Sequence, residues 1–222
     1  MATLESVTLW AHIAAGVVAL GAGGVAMLSK KGGPRHRRAG RLYVRSMVLV
    51  VATVPLLLVF DPGDFTRQFL LLVAVFSGYL VFSGYRILSR KRPEAPVARL
   101  DRVVAALAVV ASVGLVLWGV VLALDDTGIG IVMAVFGVIG LAFGGNDLLD
   151  FRQPDRRGPW MADHLARMIG GYIATVTAVS AVNLVSLVPE VVAWLWPTAA
   201  GVPLIIYWQG KHANHGPLAD VI

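Results

Sequence analysis

Seven long apolar segments dominate the 222-residue chain and restrict what it can fold into. A helix needs about 20 mostly apolar residues to cross the hydrocarbon core of a bilayer, and each segment is close to that length. Backbone polar groups find no water in lipid, so each segment is predicted to be an α-helix. The predicted spans are 6–28, 43–60, 67–88, 101–124, 128–146, 164–187 and 190–208. The prediction is an all-α integral membrane bundle of seven transmembrane helices. Short connections between the spans place residues 1–222 in a single domain.

The composition excludes several classes of protein. Charged residues make up 14% of the chain, against about 25% in ordinary soluble domains. This low share excludes a soluble enzyme, a disordered tail and a basic nucleic-acid-binding domain. The chain has no cysteine, so disulfides, thiolate metal sites and cysteine nucleophiles are excluded as well.

The positive charges alternate with the predicted spans. All of the 19 Lys and Arg residues except Arg67 fall on one side of the membrane, and acids mark the other side: Glu5, Asp61, Asp64, Asp125, Asp126 and Glu190. Lys and Arg in short loops favour the cytoplasmic side. The N-terminus is therefore predicted to lie outside and the C-terminus in the cytoplasm. Since topology accounts for the positive charge, we expect the lipid bilayer as a partner and no nucleic acid.

Four stretches are similar to a known family. They are HIAAG (12–16), KKGGPRHRRAGRLYVRSM (30–47), RMIGGYIATVTAVSAVN (167–183) and PTAAGVPLIIYW (197–208). Together they resemble an uncharacterised family of small bacterial multi-span membrane proteins, a domain of unknown function with a His-Arg-x-x-Gly loop after span 1. The resemblance implies a multi-pass protein of the bacterial inner (plasma) membrane. It implies no reaction and no catalytic residue.

Polar residues inside a span are costly and mark candidate sites. In the outer half of the membrane, His12 in span 1 lies at a depth similar to Asn183 in span 6. The Asn183 amide is predicted to donate to one imidazole nitrogen and to select the tautomer of the ring. A structural hydrogen bond between helices and a site for a ligand, proton or cofactor both stay open as interpretations.

A denser polar layer is predicted at the cytoplasmic side. Asp147 lies near the end of span 5, and His164 and Arg167 lie on one face of span 6 that Thr175 continues. We predict that these side chains and Tyr172 line a polar cavity open to the cytoplasm. Arg167 would supply charge and His164 would titrate near neutral pH. The alternative is an interhelical ion pair between Asp147 and an arginine, with no ligand.

Four of the five histidines fall near the same side: His36, His164, His212 and His215. Neutral imidazole is a common ligand of zinc and related metals, so these four form a candidate site for a divalent metal. One haem b held by His164 with His36 or His212 is a second candidate. Against both, His36 is placed in the first cytoplasmic loop and His212 and His215 in the tail, where histidine is commonly solvated.

Three functions follow from these candidates. The first is binding or transport of a small ligand or ion in the cytoplasmic cavity. The second is a metal- or haem-dependent membrane enzyme or electron carrier that uses the histidines. The third is a structural or accessory subunit, as a homo-oligomer or within a larger membrane complex. A retinal protein is disfavoured, because the lysines (30, 31, 91 and 211) are all predicted at the membrane edge and none is deep enough for a Schiff base.

Overall fold

The computed structural model describes residues 2–92 and 94–213, and these residues contain seven long helices. The helices are α1 (Ala2–Leu28), α2 (Pro34–Phe60), α3 (Phe65–Arg86), α4 (Arg99–Leu124), α5 (Gly128–Arg152), α6 (Trp160–Leu184) and α7 (Glu190–Ala213). Two short 3₁₀ turns, Ile87–Ser89 and Pro154–Arg156, follow α3 and α5. This part of the chain contains no strand. The prediction of an all-α bundle of seven helices is confirmed.

Local sequence accounts for the short connections. Gly32 has a φ of 74°, a left-handed conformation that glycine adopts without steric cost, and it turns the chain between α1 and α2. Pro34 then begins α2, at a position where the missing N–H costs nothing. The Asp64 carboxylate accepts a 2.7 Å hydrogen bond from the Arg67 amide and caps the start of α3.

Contacts between the helices show that consecutive helices alternate in direction. His36 near the start of α2 contacts Ala26 near the end of α1, and Arg86 at the end of α3 contacts Asp101 at the start of α4. We call this side of the bundle, where α1, α3, α5 and α7 end, the basic end, since it carries most Lys and Arg residues. The other side is the acidic end. α3 and α6 are the most buried helices, and α3 packs against α2, α4, α5 and α6.

The second and fifth predicted spans are shorter than the helices that contain them. The second span was predicted to begin at residue 43, but α2 begins at Pro34. His36, predicted to lie in a loop, is therefore in the first turn of α2. In the same way the fifth span was predicted to end at residue 146, but α5 continues to Arg152. A hydropathy pattern stops where charged residues begin. The helix can continue beyond that point, because long cationic side chains reach from the helix into water and keep their charged groups away from the apolar region.

Glycines bring α4 and α5 into close contact. A Cβ added at Gly137 of α5 would lie 2.8 Å from the Ser112 carbonyl oxygen and 2.8 Å from the Val116 amide nitrogen, both on α4. These distances are too short for any residue but glycine. The two backbones therefore pack directly against each other, as small residues allow in lipid.

The outward faces of the helices are apolar. On α4, for example, Leu107, Val110 and Leu117 are all more than half exposed. All seven helices are long and apolar enough to cross a membrane. An apolar surface of this extent is unfavourable in water and suits contact with lipid. The architecture is that of a multi-pass membrane protein.

Candidate functional site

A cavity of about 350 Å³ opens at the basic end of the bundle. Its walls come from α1, α2, α6, the end of α3 and the turn that follows α3. Most of the lining is apolar, and Met168 and Ile169 of α6 are part of it. A volume of this size falls within the range of small-molecule sites, about 300–1,000 Å³. We call it the basic-end cavity.

The charged side chains that line this cavity are all positive. Its lining contains Lys31, Arg37, Arg41 and Lys91, and none of the described lining residues is acidic. Arg37, Arg41 and Lys91 are exposed, which places them at the mouth. Lys31 is half-buried, and burial lowers the pKa of its ammonium group. An anionic group at the mouth would be attracted by all four side chains.

Each of the two lysines that line the cavity lies against an aromatic ring. The Lys91 ammonium lies 4.7 Å from the centre of the Trp160 ring, and the Lys31 ammonium lies 5.4 Å from that of Trp208. These are cation–π distances. The lysine stems are therefore oriented by contact with rings and are not free in solvent.

Histidines from two helices line the cavity. Nδ1 of His36 on α2 lies 2.9 Å from the carbonyl oxygen of Ala26, and Nδ1 of His164 on α6 lies 2.8 Å from that of Gly84. Both carbonyls belong to the last turn of a helix, where the carbonyl oxygens have no backbone N–H donor within the helix. Each ring therefore caps a helix C-terminus through Nδ1, and both residues line the cavity.

Tyrosines close the deep end of the cavity. Tyr43 is 2% exposed, and its hydroxyl lies 3.3 Å from that of Thr175. The Tyr172 hydroxyl donates a 3.1 Å hydrogen bond to the Leu20 carbonyl. Tyr43 and Tyr172 line the cavity, whereas Thr175 lies behind Tyr43 and donates to the Gly171 carbonyl. Thr175 thus reaches the cavity only through Tyr43.

A buried ion pair lies next to this cavity. Nη2 of Arg167 donates a 2.6 Å hydrogen bond to Asp147, and the two side chains are 6% and 7% exposed. The Tyr79 hydroxyl also donates to Asp147. Arg167 lies 5.3 Å from the centre of the Phe143 ring, and its Nε and Nη1 have no hydrogen-bond partner among the described residues. The interhelical ion pair left open as an alternative is therefore present.

The ion pair lines a separate, smaller cavity. That cavity has a volume of about 50 Å³ and is lined by Asp147, Asp163 and Arg167, among others. Lys91 and Trp160 line both cavities and lie between them. His164 and Tyr172 are thus brought together in the basic-end cavity, while Asp147 and Arg167 lie beside it.

A second ion pair ties α3 to α4 at the basic end. Asp101 accepts hydrogen bonds from Nε and Nη2 of Arg86, at 2.7 and 3.2 Å, and lies 3.5 Å from Nη1 of Arg90. Burial lowers the pKa of Arg90, and the Asp101 carboxylate opposes that shift. These contacts account for Arg86 and Arg90 without a ligand.

The candidate pair His12 and Asn183, towards the acidic end, is not brought together. Nδ1 of His12 lies 2.8 Å from the Thr53 hydroxyl, whose proton is directed to the carbonyls of Leu49 and Val50. Asn183 is exposed and donates to the carbonyl of Val179 in its own helix. The partner of His12 is therefore Thr53 on the adjacent α2, so the half of the bundle towards the acidic end contains a structural hydrogen bond in place of the expected Asn183 contact.

The predicted metal ligands are only partly assembled. His36 and His164 line the same cavity. The backbone of His212 lies in α7, but its side chain is outside the described part of the structure, and His215 lies outside the described residues altogether. Among the described side chains, no group of three or more His, Asp or Glu residues is placed to hold a metal ion.

Some residues of these sites were not predicted as site residues. Lys31, Arg37, Arg41 and Lys91 were assigned to topology alone. The signal in the sequence was the segment 30–41, which combines basic residues with His36 and three glycines. In the structure, part of this basic segment lines the cavity between helices. Tyr79 was also missed. Its hydroxyl lies inside an apolar span, where a polar group needs a partner.

Comparisons of the chain with protein-family models, with curated proteins and with solved structures find no match.

Proposed function

We propose that this chain is a multi-pass protein of the bacterial inner membrane that binds a small amphipathic anion in the basic-end cavity. The proposal adopts the family resemblance of the sequence, with the N-terminus outside and the basic end in the cytoplasm. One observation carries the proposed activity. The cavity has apolar walls, and its charged lining residues (Lys31, Arg37, Arg41 and Lys91) are all cationic.

This combination favours a ligand with two parts. An apolar body would displace water from the walls formed by residues such as Met168 and Ile169. An anionic group would remain at the mouth, where Arg37, Arg41 and Lys91 are exposed. Charge-assisted hydrogen bonds from guanidinium and ammonium groups to a carboxylate or phosphate are roughly twice as strong as neutral ones. A neutral molecule with the same apolar body would lose that contribution.

Gly40 provides a way to block the cavity without disturbing the packing. It lines the cavity, and a Cβ added there meets no heavy atom within 4 Å. The substitution Gly40→Leu is therefore expected to place its side chain in open space. A matched control is Gly114→Leu on α4, because Gly114 also has open space around it and does not line the cavity.

The test uses delipidated protein in a non-ionic detergent, with oleate as the probe and oleyl alcohol as its uncharged analogue. Native mass spectrometry would count bound molecules per chain. We expect one oleate per chain, weaker binding of oleyl alcohol, loss of oleate binding in Gly40→Leu, and retention of it in Gly114→Leu. Equal binding of oleate to both glycine variants, or of both probes to the parent protein, would overturn the proposal.

The third function considered, an accessory subunit without a ligand, makes the opposite prediction. The parent protein and Gly40→Leu would then behave alike with every probe, and the chain would co-purify with a larger membrane assembly. Size-exclusion chromatography of the protein solubilised under mild conditions would detect such an assembly.

A further inference from the structure

The tautomers of the two cavity histidines follow from their hydrogen bonds. A carbonyl oxygen accepts hydrogen bonds and never donates them. Nδ1 of His36, facing the Ala26 carbonyl, and Nδ1 of His164, facing the Gly84 carbonyl, must therefore each carry a proton. In the neutral ring, Nε2 then carries a free lone pair. Neither Nε2 has a hydrogen-bond partner within the described residues.

This arrangement is the one that metal-binding histidines use. A ligating imidazole almost always donates its second ring N–H to a carbonyl, a carboxylate or water, which orients the ring and makes the ligating nitrogen more basic. Here two rings have that arrangement in one cavity, one from α2 and one from α6.

We propose that the basic-end cavity binds haem b, with Nε2 of His36 and Nε2 of His164 as the two axial ligands of the iron. The inference rests on the proposed function, because haem b is itself an amphipathic anion with an apolar ring and two carboxylates. The ring would lie against the apolar walls, and the carboxylates would reach the cationic mouth that includes Arg37 and Arg41. For the neutral rings, coordination releases no proton, since the hydrogen is on Nδ1 and not on Nε2.

The number of ligands favours haem over a bare metal ion. A structural zinc site needs four protein ligands and a catalytic one needs three, and the described side chains provide no such group. A porphyrin supplies four nitrogens to its iron, so the protein needs to supply only the axial positions. Two histidines in an apolar, cationic cavity meet that requirement.

The experiment is a titration of the full-length protein with ferric haem in non-ionic detergent, followed by visible absorption and electron paramagnetic resonance. We expect one haem per chain and the low-spin spectrum of iron with two imidazole ligands. Loss of a hydrogen bond to a metal-ligating histidine typically weakens metal binding roughly 10- to 100-fold. Removing one of the two axial histidines should weaken haem binding by more than that.

The variants are chosen so that a folding defect is not mistaken for a lost ligand. In His36→Gln and His164→Gln, the amide can still donate to the helix carbonyl, but no imidazole is present. Both are expected to abolish the low-spin signal. His164→Ala should regain it when free imidazole is added. The matched control is His12→Ala, since His12 lines neither cavity.

Three outcomes would overturn the haem assignment. They are a low-spin signal that survives in both glutamine variants, a high-spin signal in the parent protein, and equal affinity for haem and for metal-free protoporphyrin. Oleate binding separates this failure from that of the proposed function. If oleate still binds and Gly40→Leu still blocks it, the cavity takes an amphipathic anion but has no axial ligands for haem.

Discussion

Nη2 of Arg167 on α6 lies 2.6 Å from the carboxylate of Asp147 on α5, with both side chains almost completely buried. The pair is only partly satisfied, because Nε and Nη1 of Arg167 have no partner in the described part of the chain. Asp147 is better satisfied, since Tyr79 also donates to it. The pair therefore joins α5 and α6 through the carboxylate, with α3 as a third participant.

Loss of Arg167 should destabilise the bundle strongly. Arg167→Met leaves the Asp147 carboxylate buried without its counter-charge, and breaking a buried pair in this way costs about 3–5 kcal/mol. Removing both charges in Arg167→Met/Asp147→Leu should recover much of that loss. Reversible unfolding in detergent mixtures, followed by circular dichroism, would measure both changes.

The exposed pair at the acidic end supplies the control for that measurement. Arg67 donates a 2.7 Å hydrogen bond to Glu5, and both side chains are about one-third exposed. Surface pairs contribute little to stability, so Arg67→Met should change the unfolding free energy far less than Arg167→Met. Equal losses of unfolding free energy in the two variants would show that burial does not determine how much an ion pair contributes to the stability of this protein.

Tyr79→Phe should cause a smaller loss of stability. The substitution keeps the ring and removes only the hydroxyl that donates to Asp147. A hydrogen bond to a charged group contributes about 1.5–3 kcal/mol, so a decrease of that size is expected in the same unfolding measurement. Tyr207→Phe is the control, because Tyr207 is 61% exposed. A Tyr79→Phe protein as stable as the control would show that Arg167 alone satisfies the carboxylate.

The close contact of α4 and α5 makes a prediction about two glycines of one helix. Gly137→Ala places a methyl group against the α4 backbone, and such overpacking typically costs about 1–3 kcal/mol. Gly145→Ala, also on α5, meets no heavy atom within 4 Å and should stabilise the helix by about 0.5–1 kcal/mol. Thermal unfolding of the two variants should therefore shift in opposite directions. Shifts of the same sign would be inconsistent with the packing.

The absence of cysteine from the chain allows a direct test of topology. Glu94→Cys lies at the basic end and Asp125→Cys at the acidic end, and both positions are exposed. If the basic end is cytoplasmic, a membrane-impermeant maleimide should label Asp125→Cys in intact cells. It should label Glu94→Cys only after the cells are permeabilised. The reverse pattern would refute the proposed orientation.

The sequence predicts the fold well, because hydrophobicity and length alone identify a membrane helix. It also places Asp147 and Arg167 near each other, since both lie at the basic end of neighbouring spans. It does not predict that His36 lies on a helix, because the start of α2 is charged and falls outside any apolar pattern. Nor does it predict which side chains share a cavity. That depends on which helices are neighbours, and α6 packs against α1 and α3, which are distant in the sequence.

The walls of the basic-end cavity come from helices that are made at different times. α1, α2 and α3 leave the ribosome before α6, and the α4–α5 pair separates them in the chain. Until α6 docks, the space between the early helices is a groove open to lipid, and the cavity does not yet exist. A molecule bound in the finished cavity contacts both early and late helices. Ligands stabilise the state that binds them. A ligand present during biogenesis would therefore stabilise the docked position of α6 and slow the degradation of incompletely assembled chains by proteases.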